Sequence, residues 1–447
     1  MKLAKYSMGI GDRFGHQGQA QLEAFVRAAK QGLHVVPVWN KSNREHLIVH
    51  SQPAAVRQEA DAAVQALHWS AGYHVDADHI GLKTVDRFLP VSDFFTIDVA
   101  DFIGHPAPAG PVEALIASMA AIGERPAIAG LPQPLVLTPH RIAEIAGKYL
   151  VAVQEAGRVY RHIEKQKGRG NFITEVSMDE TDRSQTPVDL LVILAALAQE
   201  GIPVQTIAPK FTGRFNKGVD YQGDLRQFEQ EFNDDLAVVT FAVQHFNLPA
   251  DLKLSVHSGS DKFSIYEPIR KALSRWNTGL HLKTAGTTWL EEIAALAAAG
   301  EDGLSLARDI YAGALARFDE LCGPYASVID IDRAALPGAP QVQAWSGDQF
   351  AAAIRHNPAD SRYNPSLRQL LHVGYKLAAE AGERYTRLLD KYAQAVGAEV
   401  TANLFTRHLC RIYPGAAAGG TKGIEIRTGT SAAAGSGGSP SQRPGTH

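Results

Sequence analysis

The strongest constraint on this chain is a repeated alternation of short β-type runs with amphipathic helical stretches. Eight runs stand out: residues 6–11 (YSMGIG), 34–39 (HVVPVW), 73–78 (YHVDAD), 94–100 (FFTIDVA), 172–177 (FITEVS), 203–209 (PVQTIAP), 252–258 (LKLSVHS) and 280–285 (LHLKTA). Helical patterns such as QAQLEAFVRAAKQG and PVDLLVILAALAQEG lie between them, the second closing on Gly201. Parallel strands need long crossovers, so this alternation predicts a parallel sheet. Eight units fit an α/β fold of the (β/α)8 TIM-barrel type better than an open sheet. Residues 1–104 then form the first half of the barrel and 171–290 the second. Residues 105–170, opening on HPAPAGP, read as a helical insertion after strand 4 and a candidate lid. Residues 291–413 continue as helices packed on the barrel. Residues 414–447, rich in Ala, Gly, Ser, Thr and Pro, read as a disordered tail.

The polarity of the strands carries the second constraint. Side chains alternate faces along a strand. Lys253, Ser255 and His257 therefore oppose Leu252, Leu254 and Val256. His281 and Lys283 oppose Leu280 and Leu282, Glu175 and Ser177 oppose Thr174 and Val176, and His74, Asp76 and Asp78 oppose Tyr73, Val75 and Ala77. A barrel gives both faces a place, with the apolar set under the helices and the polar set inside. Polar groups at the C-terminal strand ends are where such barrels keep active sites.

Composition excludes other classes. A formal charge of -3 and the lack of Lys/Arg blocks argue against a nucleic-acid partner. The run LLVILAALA is too short to span a bilayer, and the start lacks the apolar core of a signal peptide, so a cytoplasmic location is expected. Two cysteines, Cys322 and Cys410, supply no thiolate metal site or disulfide framework. With 17 histidines, a metal would be held by imidazole and carboxylate.

His79, His257 and His281 come at or near strand ends, with Asp78 and Glu175 on the same rim. Three imidazoles beside carboxylates suit a divalent Zn, Mn, Ni or Co ion, against the alternative of hydrogen-bonded structural histidines. Asp78 and Glu175 are the acid/base candidates; salt bridges to Lys83, Lys253 or Lys283 are the alternative. Asp98 and Asp101 read as orienting partners of a ligand histidine or as helix caps. Asp179, Glu180 and Asp182 read as the start of the next helix. Asp76 has no assigned role. Loop residues Lys41, Asn43, Arg44, Arg214, Asn216, Lys217, Asp261 and Lys262, with Lys283, are candidates for binding an anionic substrate. A Schiff-base lysine at Lys283 or Lys210 is a further alternative.

The blocks MGIGDRFGHQG, PVWNKSNREH, VDADHIGLKTVDRF, DFFTIDVADFIG, LSVHSGSDKFSIY and LHLKTAGTTWLEE resemble the tagaturonate/fructuronate epimerase family, from about residue 7 to about residue 413. The resemblance implies a metal-dependent barrel enzyme that interconverts keto-hexuronates at carbon 4, with fructose and tagatose as further substrates. It implies acid/base roles for Asp78 and Glu175 and metal binding by His79, His257 and His281. The expected partner is a small sugar or sugar acid, with self-association open. The competing readings are a metal-dependent sugar aldolase and a sugar-binding barrel with structural histidines.

Overall fold

The computed structural model describes residues 1–415 apart from Glu180, Asp182 and Ala285. Two of the three acids read as a helix start, and nearly all of the expected tail, thus lie outside the described residues. Eight parallel strands close into a barrel in sequence order: β1 Tyr6–Ile10, β2 Val36–Ser42, β3 His74–Ile80, β4 Phe94–Asp98, β5 Ile173–Ser177, β6 Thr206–Ala208, β7 Lys253–His257 and β8 Leu280–Lys283. Strand β1 pairs with β8, Ser7 opposite His281, which completes the ring.

The alternation of polarity decides which face goes where. Ile97, Val176, Ile207, Leu254, Val256 and Leu282 belong to the large apolar core under the helices. Inside the ring Leu3, Val38, Phe94 and Ile173 form a separate apolar plug at the N-terminal end. Above that plug the interior is polar. Asp76, Thr96, Glu175, Thr206, Ser255, His281 and Lys283 are all buried there. A polar interior of this kind is stable only if its members pair with each other.

Residues 105–170 contain the helices Ala109–Met119 and Pro139–Lys167. The long helix buries Ile142, Ile145, Tyr149, Leu150, Val153 and Val159, and it packs on helix Pro187–Gln199 and on β4. It occupies the barrel's flank as the helix that follows strand 4. No residue of 105–170 lines the cavity at the C-terminal strand ends, so the expected lid is not at the mouth.

After β8 the described chain is helical. Helix Thr287–Ala299 leads into a bundle that includes Pro365–Val373 and Tyr375–Ala381. Cys322 and Cys410 are free thiols. Among the described residues no helix is long and apolar enough to cross a membrane.

Candidate active site

Lys283, at the end of β8, organises the floor of the site. Its Nζ lies 2.8 Å from Asp76 Oδ2, 2.8 Å from Asp78 Oδ1 and 3.1 Å from Glu175 Oε1, and it donates to Thr96 Oγ1. One ammonium facing three carboxylates leaves the floor negative. Burial opposes the charge on Lys283, but the three carboxylates overcome it and hold the amine well above its usual range. An amine held protonated is no Schiff-base nucleophile. Burial pushes Asp76 up to about 7, against the pull of Lys283. Asp76, unassigned from sequence, accepts from Thr96 Oγ1 at 2.9 Å and belongs to this floor. Asp78 and Glu175 go the other way. Burial would raise both, but Lys283 and the nearby imidazoles bring them below their usual values.

Above the floor His79, His257 and Asp179 come together, with one donor atom from each within 4.8 Å of the others. Strict alternation would turn His79 outward with Val75 and Ala77. A register shift between Ala77 and Ile80 and a left-handed φ of 50° at His79 swing its ring to the cavity instead. Backbone strain of this kind collects at functional sites. The His79 and His257 rings stand edge to face with centroids 5.2 Å apart.

Each ring is tied at one nitrogen. His79 Nδ1 lies 2.8 Å from Asp98 Oδ2, and His257 Nε2 lies 2.8 Å from Glu175 Oε1. The other nitrogens face the cluster, His257 Nδ1 at 3.1 Å from Asp179 Oδ1. A carboxylate behind each imidazole is the arrangement that orients histidine ligands toward a metal. The electrostatics agree with the geometry. Burial lowers both imidazoles, yet Asp78 and Asp98 raise His79 well above its usual range. Asp179 and Glu175 likewise raise His257 to about 9. This donor set is built around positive charge, and two nitrogens with a carboxylate oxygen fit a divalent transition metal.

The remaining predicted residues separate into two groups. A cavity of ≈ 350 Å³ opens above the cluster and is lined by Asp78, His79, His257 and Lys283, with Asn43, Arg44 and Lys217. Glu175 is fully buried, accepts from Thr206 Oγ1 at 2.7 Å and is not on the cavity wall. It supports His257 and does not reach into the cavity. His281 lies one register step below Lys283, opposite Ser255, with Nδ1 2.9 Å from Ser7 Oγ. Burial there pushes it down to about 3, and Asp179 stands where a third ligand was expected from His281. Lys41 turns outward from β2 and donates to the Arg13 carbonyl at 3.0 Å. Arg214 pairs with Asp330 at 3.3 Å, and Asn216 donates to Gln222 Oε1 at 3.1 Å. Asp261 and Lys262 are fully buried behind β7, off the cavity.

Several site residues escaped the sequence reading. Asp179 read as a helix start, but that helix begins at Pro187, and Thr186 and Asp189 form its capping box. The T-P-x-D pattern that begins seven residues on, at Thr186, is the available signal. Of the two candidate orienting acids, Asp98 takes that role and Asp101 is exposed. Asn40 follows from extending β2 past Trp39, since it shares the inward face with Val38. Arg13 and His372 also line the cavity. They come from a loop and a distant helix, and no local pattern marks them.

Known proteins share this architecture and sequence. The tagaturonate/fructuronate epimerase of Thermotoga maritima is 26% identical over 385 residues, covering 83% of this chain and 72% of that protein. A glycerol-complexed crystal structure of the fructuronate-tagaturonate epimerase of Cohnella laeviribosi superposes with a TM-score of 0.75 at 24% identity, covering 91% of this chain and 81% of that one. The native crystal structure of the same enzyme gives 0.73 at 23% identity, with 91% and 81% covered. At that identity these two comparisons speak for the fold. The tagaturonate epimerase family model matches residues 1–396, a span that takes in all eight strands and the whole candidate site. The chain therefore belongs to the tagaturonate epimerase family, whose members are isomerases acting on sugar acids.

Proposed function

We propose that this protein is a divalent-metal-dependent epimerase that interconverts the keto-hexuronates tagaturonate and fructuronate by inversion at carbon 4. Family membership supports the substrate. One observation carries the metal dependence: His79, Asp179 and His257 converge at the mouth of the barrel, each imidazole tied from behind by a carboxylate.

Carbon 4 of a 2-ketose is β to the ketone, so simple enolisation does not loosen its proton. Cleaving and remaking the bond between carbons 3 and 4 inverts the centre while its hydrogen stays on carbon. That route needs a base for the carbon 4 hydroxyl and stabilisation of an oxygen anion on the other fragment. A divalent ion held by His79, Asp179 and His257 would supply that stabilisation as a Lewis acid. Asp78 lies on the cavity wall and is kept ionised by Lys283, so it takes the hydroxyl proton and returns it after the aldehyde has turned. Asp98 is engaged by His79 and the Ala100 N–H, and Glu45 by Arg13 and the Ser42 N–H. Neither is as well placed to act as an opposed second base.

The test is conversion of tagaturonate followed by NMR. Chelation is expected to abolish it, and readdition of Mn, Ni, Zn or Co to restore it. His257→Ala is expected to lose bound metal and turnover together; full turnover by metal-stripped protein would sink the reading. Run in D2O, the reaction is expected to leave carbon 4 undeuterated. Deuterium at that carbon would replace bond cleavage with direct proton exchange.

A further inference from the structure

The cavity is oppositely charged at its two ends. The strand-end floor carries Asp78 and Asp98 beside the His79–Asp179–His257 cluster. The far wall comes from the loop after β1, the loop after β6 and the C-terminal helices, and it carries Arg13, Lys217 and His372, with Glu45 beside Arg13 offsetting part of the positive charge. His372 sits at the end of helix Pro365–Val373, is 1% exposed, and has no hydrogen-bond partner at either ring nitrogen. Two other buried groups on the same cavity are also unpaired: the Asn40 amide and Nη1 of Arg13. Buried polar groups nearly always have partners. Together these three leave hydrogen-bonding capacity around one cavity that a ligand can fill.

The wall is also held in place. Arg13 Nε donates to Glu45 at 3.1 Å, and its guanidinium lies 4.1 Å over the Tyr375 ring. Lys217 lies 5.7 Å over the Tyr325 ring, whose hydroxyl is 3.4 Å from that of Tyr375. Burial first, then Arg13, Lys217, Arg368 and Lys262, keep the His372 imidazole well below its usual range. It is therefore neutral, with one N–H to donate.

We propose that the substrate's carboxylate binds at this end of the cavity, on Arg13 and Lys217 with an N–H from His372. The loops after β1 and β6, joined by one residue of the C-terminal helices, then select a sugar acid over a neutral ketose. The assignment rests on the keto-hexuronate reading; to Lys217 it adds two recognition residues, Arg13 and His372, and an orientation: carboxylate toward the helices, reacting carbons toward the strand ends. Asn40, on the wall between, is left to pair with a hydroxyl.

Affinity for tagaturonate and for tagatose, which has the same carbon chain without the carboxylate, tests it by calorimetry on metal-loaded protein. The proteins are wild type, His372→Leu and Lys217→Gln, the last a half-buried side chain whose loss spares the core. Tagaturonate affinity is expected to fall about tenfold or more in both variants, with tagatose affinity within about twofold and metal content unchanged. Equal losses for both sugars, no loss for either, or a wild type that binds the two alike would overturn the assignment. A wild type that shows the expected affinities yet leaves tagaturonate unconverted keeps the carboxylate site and removes the epimerase reading.

Discussion

Two buried charge clusters hang on the same strand and do different things. His257 ends β7 and belongs to the open cluster over Lys283; Asp261, four residues later, anchors a sealed one. Glu175 in the first and Asp261 in the second are both fully buried carboxylates surrounded by cationic or titratable groups. Asp261 accepts from Arg368 Nη2 at 2.9 Å and Thr287 Oγ1 at 3.0 Å, with His356 and His408 each 3.3 Å away. None of these five residues lines the cavity. Burial and charge are common to both clusters, and access to the cavity separates them. The sealed cluster joins the loop after β7 to the helices Thr287–Ala299 and Pro365–Val373. The second of these helices carries His372, so a structural ion pair sets the wall of the cavity.

The largest effects should divide along that line. Asp261→Ala leaves buried Arg368 with Glu291, 3.9 Å away, as its only near carboxylate among the described residues, and is expected to cost about 3–5 kcal/mol in chemical denaturation. His257→Gln keeps a donor for Glu175 and is expected to cost about 1 kcal/mol in the metal-free protein, while metal binding is lost. A stable Asp261→Ala that had lost its metal, or an unstable His257→Gln that kept it, would reverse the distinction.

The same contrast shows what was legible in the residues. All eight strands follow from the alternation of strand and helix, and their inward polar faces follow from period-two patterning in segments such as LKLSVHS. Lys283, His257 and Asp78 were found that way, because parity tells inside from outside. Parity says nothing about height. His281 shares the inward face of β8 but lies one step deeper, in contact with Phe94 of the apolar plug at a ring distance of 5.1 Å. Nor does it register a bulge, and His79 reaches the cluster only because the backbone departs from strand geometry there. Asp261 and Lys262 follow a strand end as rim residues do, yet helices from more than a hundred residues away cover them. Contacts of that range leave no mark on a local pattern.

Two buried lysines give the smallest and finest version of the comparison. Lys283 faces three carboxylates and is held well above its usual range, whereas Lys262 is pushed down to about 7. Burial is the main cause at Lys262. Asp261 and Asp220 pull the other way, but Lys217 and Arg368 offset part of that help. Its Nζ donates to Ser260 Oγ at 2.9 Å, a neutral partner. An unfolded lysine titrates near 10.4. Between about pH 7 and pH 10 the unfolded chain therefore holds a proton at Lys262 that the folded chain has released, so this group makes stability rise with pH in that window. Denaturation of metal-free wild type and Lys262→Met at pH 7, 8 and 9 isolates the contribution, since the opposing loss from His257 is common to both proteins. The wild type is expected to gain stability relative to the variant by on the order of 1 kcal/mol per pH unit. A flat difference would mean that Lys262 stays charged in the fold, paired well enough by Asp261 and Asp220 to make the sealed cluster electrostatically like the open one.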